Sequence, residues 1–339
     1  MPKKDEAKVT LLDVGCSLFP NVAVFEDIER YVRSERYHTA RNVFVGVRRV
    51  AEALRCPDDV LRLYRDTDRT IKWIEGDAAP PSPASKASLY SALGHISNIE
   101  KCPRLARLIS RASRKRFSEM ASEKSREARE TADKNGLDAR ERVAILPWPT
   151  IQSCYRKNRD GLTDSQRVIA ALYLAGGDNP AGAPRRLDYN AVRVFRGSPP
   201  PNPPSRLNYI VVRSSDEIDI VLQEFKTQKY YGPYTARLPV STARVISESL
   251  LTRPRTWLLD NEGEKPLTAK QLGQRVTSTL RALTGRGIGA SNLRKSFITW
   301  LYGRSDVSEM RRAAFAKAMN HSPSEQKQYR RVGIDKIRM

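Results

Sequence analysis

Tyr329 is the residue whose type and setting best suit covalent chemistry, because a phenol oxygen can act as a nucleophile once it is activated. Just before it, Ser322, Pro323 and Glu325 form the signature of a helix start, with a Ser cap, Pro at the first position and Glu at the third. This signature predicts a short helix with Tyr329 on its second turn and His321 immediately before the cap. A lone tyrosine or histidine is more often a packing residue, so the hypothesis depends on which other groups reach the phenol.

Three further segments each offer a cation in a specific setting. Arg185 and Arg186 are predicted to open a helix, where a positive charge opposes the helix dipole and needs a counter-charge such as Asp188 or a bound phosphate. Lys226 ends an alternating strand just before a hairpin turn, which either carries it into a cleft or leaves it an ordinary edge-strand lysine. Arg294 lies beside the apolar face of a helix, and its guanidinium matches two phosphate oxygens at once.

A second group of cations lies in the first third of the chain, on one predicted helix. Its members recur three or four residues apart, so they share one face of that helix. The sequence from Arg104 to Arg116 contains no acidic residue to neutralise them. We interpret this face as a contact for the DNA backbone, the alternative being a solvated charged surface. The residues are Arg104, Arg107, Arg111, Arg114 and Lys115.

The composition indicates a polyanionic partner. The 339 residues include 60 Lys and Arg against 38 Asp and Glu, a formal net charge of +22. Double-stranded DNA is the first candidate, because phosphate neutralisation favours scattered cations; a ribosome-like or merely basic protein is the alternative. The four cysteines are scattered and only three histidines occur, so we expect neither a disulfide framework nor a metal site.

The sequence also predicts where the protein is located. No apolar run approaches the length of a membrane-spanning helix, and the N-terminus lacks the features of a signal peptide. We therefore expect a soluble intracellular protein without a membrane partner, located where DNA is. That place is the nucleus or a viral replication compartment in a eukaryotic host, and the cytoplasm in a prokaryote.

Hydrophobic patterns divide the chain into two predicted domains. Residues 1–140 read as a helical DNA-binding domain, which ends in a highly charged stretch with few large apolar residues. Residues 141–339 read as a mixed α+β domain, mainly helical with a small antiparallel sheet. Its strands are predicted at 207–213 and, as a pair joined by a turn, within 218–238.

The order of the chemical groups resembles that of a known family. Over about residues 145–335, the chain resembles the catalytic domain of tyrosine recombinases, the phage-integrase family of DNA breaking and rejoining enzymes. The stretches FKTQKYYG, LRKSF and MNHSPSEQKQY are similar to divergent members in large DNA viruses and mobile elements. The helical first third is similar in kind to the core-binding domain of that family. The matching positions are Arg185, Lys226, Ser291 to Arg294, His321 and Tyr329.

The resemblance implies the tyrosine recombinase catalytic fold and a site-specific recombinase or integrase that uses no metal and no cofactor. Tyr329 would attack the scissile phosphate and hold the 3′ phosphate covalently, while Arg185 and Arg294 stabilise the non-bridging oxygens. His321 would steady the phosphate or accept the tyrosine proton, and Lys226 would protonate the departing 5′ oxygen. Members of this family usually act as tetramers on paired DNA sites.

Three departures from the family pattern keep alternatives open. Ser291 stands where the family has His or Lys, and it could be only a helix cap. The spacing from His321 to Tyr329 is eight residues, one fewer than is common. Asp188 three residues after Arg185 fits the family's first arginine, with Arg186 as the alternative. A type IB topoisomerase, a telomere resolvase and a non-catalytic basic protein that binds DNA or a capsid therefore remain competing interpretations.

Overall fold

The computed structural model describes residues 12–19, 24–34, 37–80, 82–98, 100, 102–133, 136–137, 139–175, 177–199, 203–204, 206–261, 265–334 and 337. The chain divides into two compact units after Asp133, which we call unit 1 and unit 2. The predicted domain boundary lies a few residues later, after residue 140. None of the described helices is long and apolar enough to cross a bilayer.

Unit 1 is helical throughout its regular elements. Residues 12–18 form a first helical segment. The labelled helices that follow are α1 (Phe25–Ser34), α2 (Tyr37–Ala53), α3 (Arg62–Arg65), α4 (Thr67–Glu75), α5 (Pro83–Ile96), α6 (Pro103–Arg107) and α7 (Arg111–Asp133).

Apolar residues at helical spacing explain how unit 1 packs. Val43, Val47 and Val50 recur three or four residues apart, so they lie on one side of α2, and all three are buried. Helix α5 packs against both α2 and α7 and supplies the centre of this core. The hydroxyl of Ser82 accepts a hydrogen bond from the N–H of Ser85 and so caps the start of α5.

Unit 2 surrounds a small sheet with helices. Its helices are α8 (Ala139–Ala144), α9 (Trp148–Asn158), α10 (Asp164–Leu174), α11 (Gln228–Tyr231), α12 (Val240–Thr252), α13 (Ala269–Thr284), α14 (Ala290–Gly303), α15 (Glu309–Ala318) and α16 (Pro323–Gln328). Two 3-10 turns occur at Arg159–Gly161 and Pro180–Gly182. The strands are β1 (Val192–Arg196), β2 (Asn208–Val212), β3 (Ile218–Leu222), β4 (Tyr234–Arg237), β5 (Asp260–Asn261) and β6 (Lys265–Pro266).

The main sheet is mixed, which corrects the prediction of an antiparallel one. Its order is β1-β2-β3-β4, with β2, β3 and β4 antiparallel to one another as predicted. Strand β1 was not predicted, and it runs parallel to β2, with Val192 opposite Asn208. A parallel pair cannot be joined by a tight hairpin, so local turn signals did not reveal it.

Helix α10 lies at the centre of unit 2. Every residue from Val168 to Leu174 is buried, because the helix packs against both α12 and α13. A helix that is apolar all round belongs inside a core rather than on its surface.

Candidate active site

Helix α14 holds a fully buried arginine. Its apolar residues Leu293, Phe297 and Leu301 face the core, and Arg294 points inward beside them with 1% of its surface exposed. The Nη2 atom of Arg294 donates to the carbonyl of Met319 at 3.4 Å. Among the described residues, no hydrogen-bonding partner meets the buried Nε atom. A buried guanidinium with an unused donor is a costly arrangement that an incoming anion would relieve.

A tight turn after α15 places His321 against the guanidinium of Arg294. Asn320 takes a left-handed backbone conformation, with φ of 54°, and the N–H of His321 donates to the carbonyl of Ala316 at 2.9 Å. His321 is 2% exposed. The Nη2 atom of Arg294 lies 3.3 Å from Nδ1 of His321 and also contacts Nε2, so the ring nitrogen without a hydrogen accepts this bond.

Tyr329 completes the group. The predicted helix start is confirmed, because Ser322 caps α16, Pro323 is its first residue and Glu325 returns the reciprocal bond of the capping box. The helix ends at Gln328, so Tyr329 lies just after it. The prediction that Tyr329 lies on its second turn was wrong. Here the phenol ring stacks against the imidazole of His321, with ring centroids 4.6 Å apart.

Two arginines reach Tyr329 from different elements. The Nη2 atom of Arg186 donates a hydrogen bond of 3.2 Å to the phenol oxygen. The guanidinium carbon of Arg294 lies 5.2 Å from the centre of the phenol ring. A phenol so placed is partly exposed, and its oxygen already faces a permanent cation.

The neighbouring Arg185 is buried, and its contacts are with residues other than Tyr329. It is 1% exposed, its Nη1 atom donates to the carbonyl of Ala318, and its Nε lies 3.4 Å from a carboxylate oxygen of Asp188. Its guanidinium packs over the ring of Tyr234, 4.2 Å from the centroid. Within the described part of the chain, its buried Nη2 atom has no hydrogen-bonding partner.

The backbone around these two arginines is not helical, which corrects the prediction that they open a helix. Residues 184–189 form bends and turns between the second 3-10 turn and β1. Tertiary contacts fix this conformation: Tyr189 is buried, and the hydroxyl of buried Tyr173 donates to the carbonyl of Arg186 at 2.6 Å. The anticipated conflict with a helix dipole therefore does not arise.

Lys226 is exposed in the connection between β3 and α11, close to the turn where it was predicted. Two contacts join this connection to the segments that carry His321 and Tyr329. The hydroxyl of Thr227 donates to the carbonyl of Asn320 at 3.4 Å, and the hydroxyl of Tyr231 donates to Glu325 at 2.9 Å. The hairpin is thus tied to the start of α16.

The surrounding charges change the acidity of the phenol. Burial by itself raises the pKa of Tyr329, but the hydrogen bond from Arg186 and the charges of Arg294, Arg186 and Lys226 outweigh burial and lower this pKa below its ordinary value. The phenoxide is therefore favoured relative to an isolated tyrosine, which is what a nucleophile requires.

The same environment keeps His321 neutral. Burial, followed by the charges of Arg294, Arg186 and Arg185, lowers the pKa of His321 to about 3. Burial also lowers the pKa of Arg294, although this guanidinium keeps its charge at neutral pH. Near neutral pH, His321 consequently accepts a hydrogen bond from Arg294 and adds no positive charge.

Ser291 lies outside this cluster. It is exposed on the first turn of α14, and the cap of that helix is Gly289, so the suggestion that Ser291 caps the helix was wrong. An aliphatic hydroxyl does not ionise near neutral pH, so this position supplies no acid or base comparable to His or Lys.

The five predicted DNA contacts of unit 1 do not share one continuous helix. They divide between α6 and α7, with a break at residues 108–110. Arg107, Arg111 and Lys115 are exposed. Arg104 forms an ion pair with Glu26 at 2.7 Å, and Nη1 of Arg114 donates to the carbonyl of Ala106 at 2.9 Å. Folding therefore supplies a partner to Arg104 that its own helix lacks.

Two supports of the cluster were missed in the sequence. The aromatic rings of Phe225 and Tyr234 flank Arg185, at 5.8 and 4.2 Å from its guanidinium carbon. Both lie in the hairpin that carries Lys226, a short segment with several aromatic residues. That aromatic content was the available signal, since such rings are common platforms for arginine.

Comparisons with protein-family models, with curated proteins and with solved structures found no match. The chemical reading of the site consequently rests on its own geometry. Among the described residues, no three His, Cys, Asp or Glu side chains converge in the manner of a metal site. What does converge is a set of guanidiniums on one phenol and one neutral imidazole, an arrangement suited to an anion with several oxygens.

Proposed function

We propose that unit 2 cleaves and rejoins double-stranded DNA through a 3′-phosphotyrosyl bond at Tyr329, as a recombinase or integrase with the tyrosine recombinase catalytic fold. The observation that carries the proposal is the hydrogen bond from Arg186 to the phenol oxygen, with Arg294 and His321 packed against the same ring. A structural tyrosine needs no cation at its hydroxyl. A nucleophilic tyrosine does, because its reactive form is the anion.

In the proposed cleavage step, the phenol of Tyr329 loses its proton to solvent, and the phenolate oxygen attacks the scissile phosphorus. The bond from phosphorus to the 5′ oxygen breaks, and Lys226 gives a proton to that oxygen. Arg186 cannot serve as the base, because a guanidinium holds its protons at any relevant pH. Rejoining reverses these steps when a 5′ hydroxyl attacks the phosphotyrosine.

Buried cations would supply the stabilisation of the transition state. Arg185 and Arg294 are both 1% exposed, and each keeps at least one buried nitrogen without a hydrogen-bonding partner among the described residues. Donors fixed in a desolvated place act more strongly on developing charge than donors in water, and they need no rearrangement when the charge appears. The guanidiniums would therefore contact the non-bridging oxygens of the phosphate.

The geometry narrows the role of His321. Its ring nitrogen already accepts a hydrogen bond from Arg294, and its pKa is lowered to about 3. An imidazole with so low a pKa is a poor base near neutral pH. We therefore assign His321 to orienting Arg294 against the phosphate, rather than to accepting the proton of Tyr329.

A substrate phosphate must also gain access to Arg294. The rings of Tyr329 and His321 both lie against this guanidinium, which leaves it 1% exposed. Binding of DNA would therefore include a shift of the phenol ring away from Arg294, which exposes the guanidinium and turns the oxygen toward phosphorus. Such small side-chain movements are common when a preformed site binds its substrate.

The net charge of +22 supports a DNA partner, because each phosphate that a cation neutralises releases counterions. The exposed residues Arg107, Arg111 and Lys115 of unit 1 would contact the backbone without reading sequence. Recombination joins two DNA sites, so the active assembly would be a tetramer on paired sites, as in the family that the sequence resembles.

A nicked suicide substrate tests the proposal. Cleavage beside the nick releases a short fragment that cannot rejoin, so the covalent adduct accumulates and is visible on a denaturing gel. We expect adducts from the native chain and none from Tyr329→Phe, which still binds DNA. The matched control Tyr302→Phe removes another partly exposed hydroxyl of unit 2, which donates to Gln326 at 3.2 Å, and it should retain adduct formation. Adducts from Tyr329→Phe would refute the assigned nucleophile.

A second pair of assays separates recombination from other reactions with the same chemistry. Joining of two DNA sites on separate molecules is expected of a recombinase. Relaxation of supercoiled DNA without exchange between sites would instead identify a topoisomerase-like activity. DNA binding with no adduct under either condition would identify a non-catalytic protein.

A further inference from the structure

Glu141 is a buried carboxylate that the mechanism above does not use. It lies in the short helix α8, near the start of unit 2, and is 7% exposed. Among the described residues, Arg331 and Lys295 contact its oxygens. The Nε atom of Arg331 lies 3.2 and 3.1 Å from Oε1 and Oε2, and Nζ of Lys295 donates to Oε1. Both cations are themselves largely buried, with side chains 13% and 16% exposed.

These two cations are attached to the two reactive elements. Lys295 directly follows Arg294 in α14, and Arg331 lies two residues after Tyr329. Residues 295 and 331 are far apart in sequence, so only the fold brings them to one carboxylate. Glu141 therefore joins the element that carries the buried guanidinium to the segment that carries the phenol.

Arg331 also forms hydrogen bonds with the backbone on both sides of Tyr329. Its Nη1 atom donates to the carbonyl of Gln328 at 2.9 Å and to that of Arg330 at 2.8 Å. Its own N–H donates to the hydroxyl of Thr299 in α14, at 2.9 Å. One guanidinium thus fixes the end of α16, while Glu141 fixes the guanidinium.

Such a tie is needed because α16 is short. A helix of six residues is marginal by itself, and its capping box secures only the N-terminal end. Tyr329 follows the other end. Without the bonds of Arg331, the backbone that carries Tyr329 could move, and the phenol would no longer aim at the phosphorus after its ring turns to admit the phosphate. A misplacement of about 1 Å at a reacting group can cost roughly a hundredfold in rate.

We propose that Glu141 is a positioning residue, which through Arg331 and Lys295 holds the backbone of Tyr329 in place relative to helix α14, the helix that carries Arg294. The catalytic consequence rests on the proposed function, whereas the positioning itself does not. Glu141 touches neither the phenol nor, in the mechanism above, the DNA. Its effect would therefore appear in the geometry and acidity of Tyr329 rather than in the binding of substrate.

The variant Glu141→Gln tests the catalytic consequence. On the suicide substrate, we expect adduct formation to slow by about tenfold or more, while the dissociation constant for DNA changes by less than about threefold. The pH at which adduct formation reaches half its maximum should rise, because a displaced phenol loses the cations that lower its pKa. The control Glu217→Gln, which breaks an exposed ion pair with Arg237, should change neither quantity.

A charge exchange tests whether the ion pair itself is responsible. The double variant Glu141→Arg with Arg331→Glu restores the ion pair between positions 141 and 331 with its charges reversed, whereas Lys295 then faces a like charge at position 141, so the recovery is partial. It should recover part of the adduct rate that Glu141→Gln loses. If the double variant is no faster than Glu141→Gln, and the variant Arg331→Gln alone matches the native rate, the positioning role is refuted.

A spectroscopic measurement separates this inference from the proposed function. With 3-fluorotyrosine at position 329, the fluorine resonance reports the titration of this phenol without any DNA. We expect Glu141→Gln and Arg331→Gln each to shift the resonance and raise the pH of its titration. If the native chain forms no adduct but these shifts occur, the proposed function fails and the positioning role stands. An unchanged resonance and titration in both folded variants would overturn the positioning role. If Glu141→Gln does not fold, Arg331→Gln decides.

Discussion

The basic residues of unit 1 and those of unit 2 have the same charge but opposite surroundings. In unit 1, Arg104 and its partner Glu26 both lie at the surface, with side chains 48% and 64% exposed. In unit 2, Arg185 and Arg294 are each 1% exposed. Water and salt screen the first kind of cation and make its ion pair weak. Buried cations such as Arg185 and Arg294 are hardly screened by water or salt, so neighbouring groups of the protein must stabilise their charge.

A count of charges therefore cannot locate the reactive site of a basic protein. Surface cations attract a polyanion over its whole length, whereas desolvated cations act on one group at one place. If this comparison is correct, changes in unit 2 should affect the reaction and leave affinity nearly intact. Changes in unit 1 should do the reverse.

The largest effect is expected for Arg294→Gln. Loss of a buried donor that faces developing charge should slow adduct formation by about a hundredfold or more, with DNA affinity changed by less than about threefold. Arg294→Lys should rescue little, because one ammonium cannot replace the forked contacts to Met319 and His321. Equal losses of rate and affinity would place Arg294 among the binding residues and remove the contrast between the units.

A smaller effect is expected for Arg186→Gln. This change removes the hydrogen bond to the phenol oxygen and the charge that helps to lower the pKa of Tyr329. Adduct formation should slow by roughly tenfold near neutral pH and recover as the pH rises, because more phenoxide forms. The exposed Arg193→Gln serves as the matched control. A loss that does not depend on pH would contradict the proposed stabilisation of the phenoxide.

The buried imidazole predicts how stability depends on pH. Burial and three guanidiniums lower the pKa of His321 from 6.5 to about 3, so the folded state binds fewer protons than the unfolded state between these values. The stabilisation is complete above pH 6.5 and is lost as the pH falls toward 3. Between pH 6.5 and about 5 the free energy of unfolding should decrease by about 1 to 2 kcal/mol. Urea unfolding of the native chain and of His321→Gln checks this, and equal decreases in both would contradict it.

The smallest effect on the reaction is expected in unit 1. Replacing Arg107, Arg111 and Lys115 by Gln should weaken DNA binding and reduce the slope of log affinity against log salt by about three. Cleavage of DNA that is already bound should stay within about twofold. The control removes Arg33, Arg55 and Arg65, which lie outside α6 and α7. An equal loss of slope in the control would favour the alternative interpretation, in which Arg107, Arg111 and Lys115 belong to a solvated charged surface.

Sequence reasoning succeeded where the signal is local. The start of α16 was predicted because Ser322, Pro323 and Glu325 satisfy one another within a single turn. The strands around Lys226 were predicted because alternation and a turn lie in one short segment. Both features depend on residues close together in the chain.

It failed where distant residues decide. Strand β1 and the irregular segment of Arg185 depend on partners far along the chain, including Asn208 opposite Val192 and Ala318 beside Arg185. The surface partner of Arg104 is Glu26, on another helix. The role of Glu141 had no local signal either, because its partners Lys295 and Arg331 meet only in the folded unit. Tertiary contacts override local preference in all these cases.

The most direct measurement is to find where DNA is attached. After reaction with the suicide substrate and digestion with nuclease and trypsin, cleavage after Lys327 and Arg330 yields the peptide Gln328–Arg330. We predict that mass spectrometry finds this peptide carrying a nucleotide through the phenol oxygen of Tyr329, and that the modified peptide is missing from Tyr329→Phe. A nucleotide attached to any other residue, or only unmodified peptide from a reaction in which DNA is cleaved, would contradict the account.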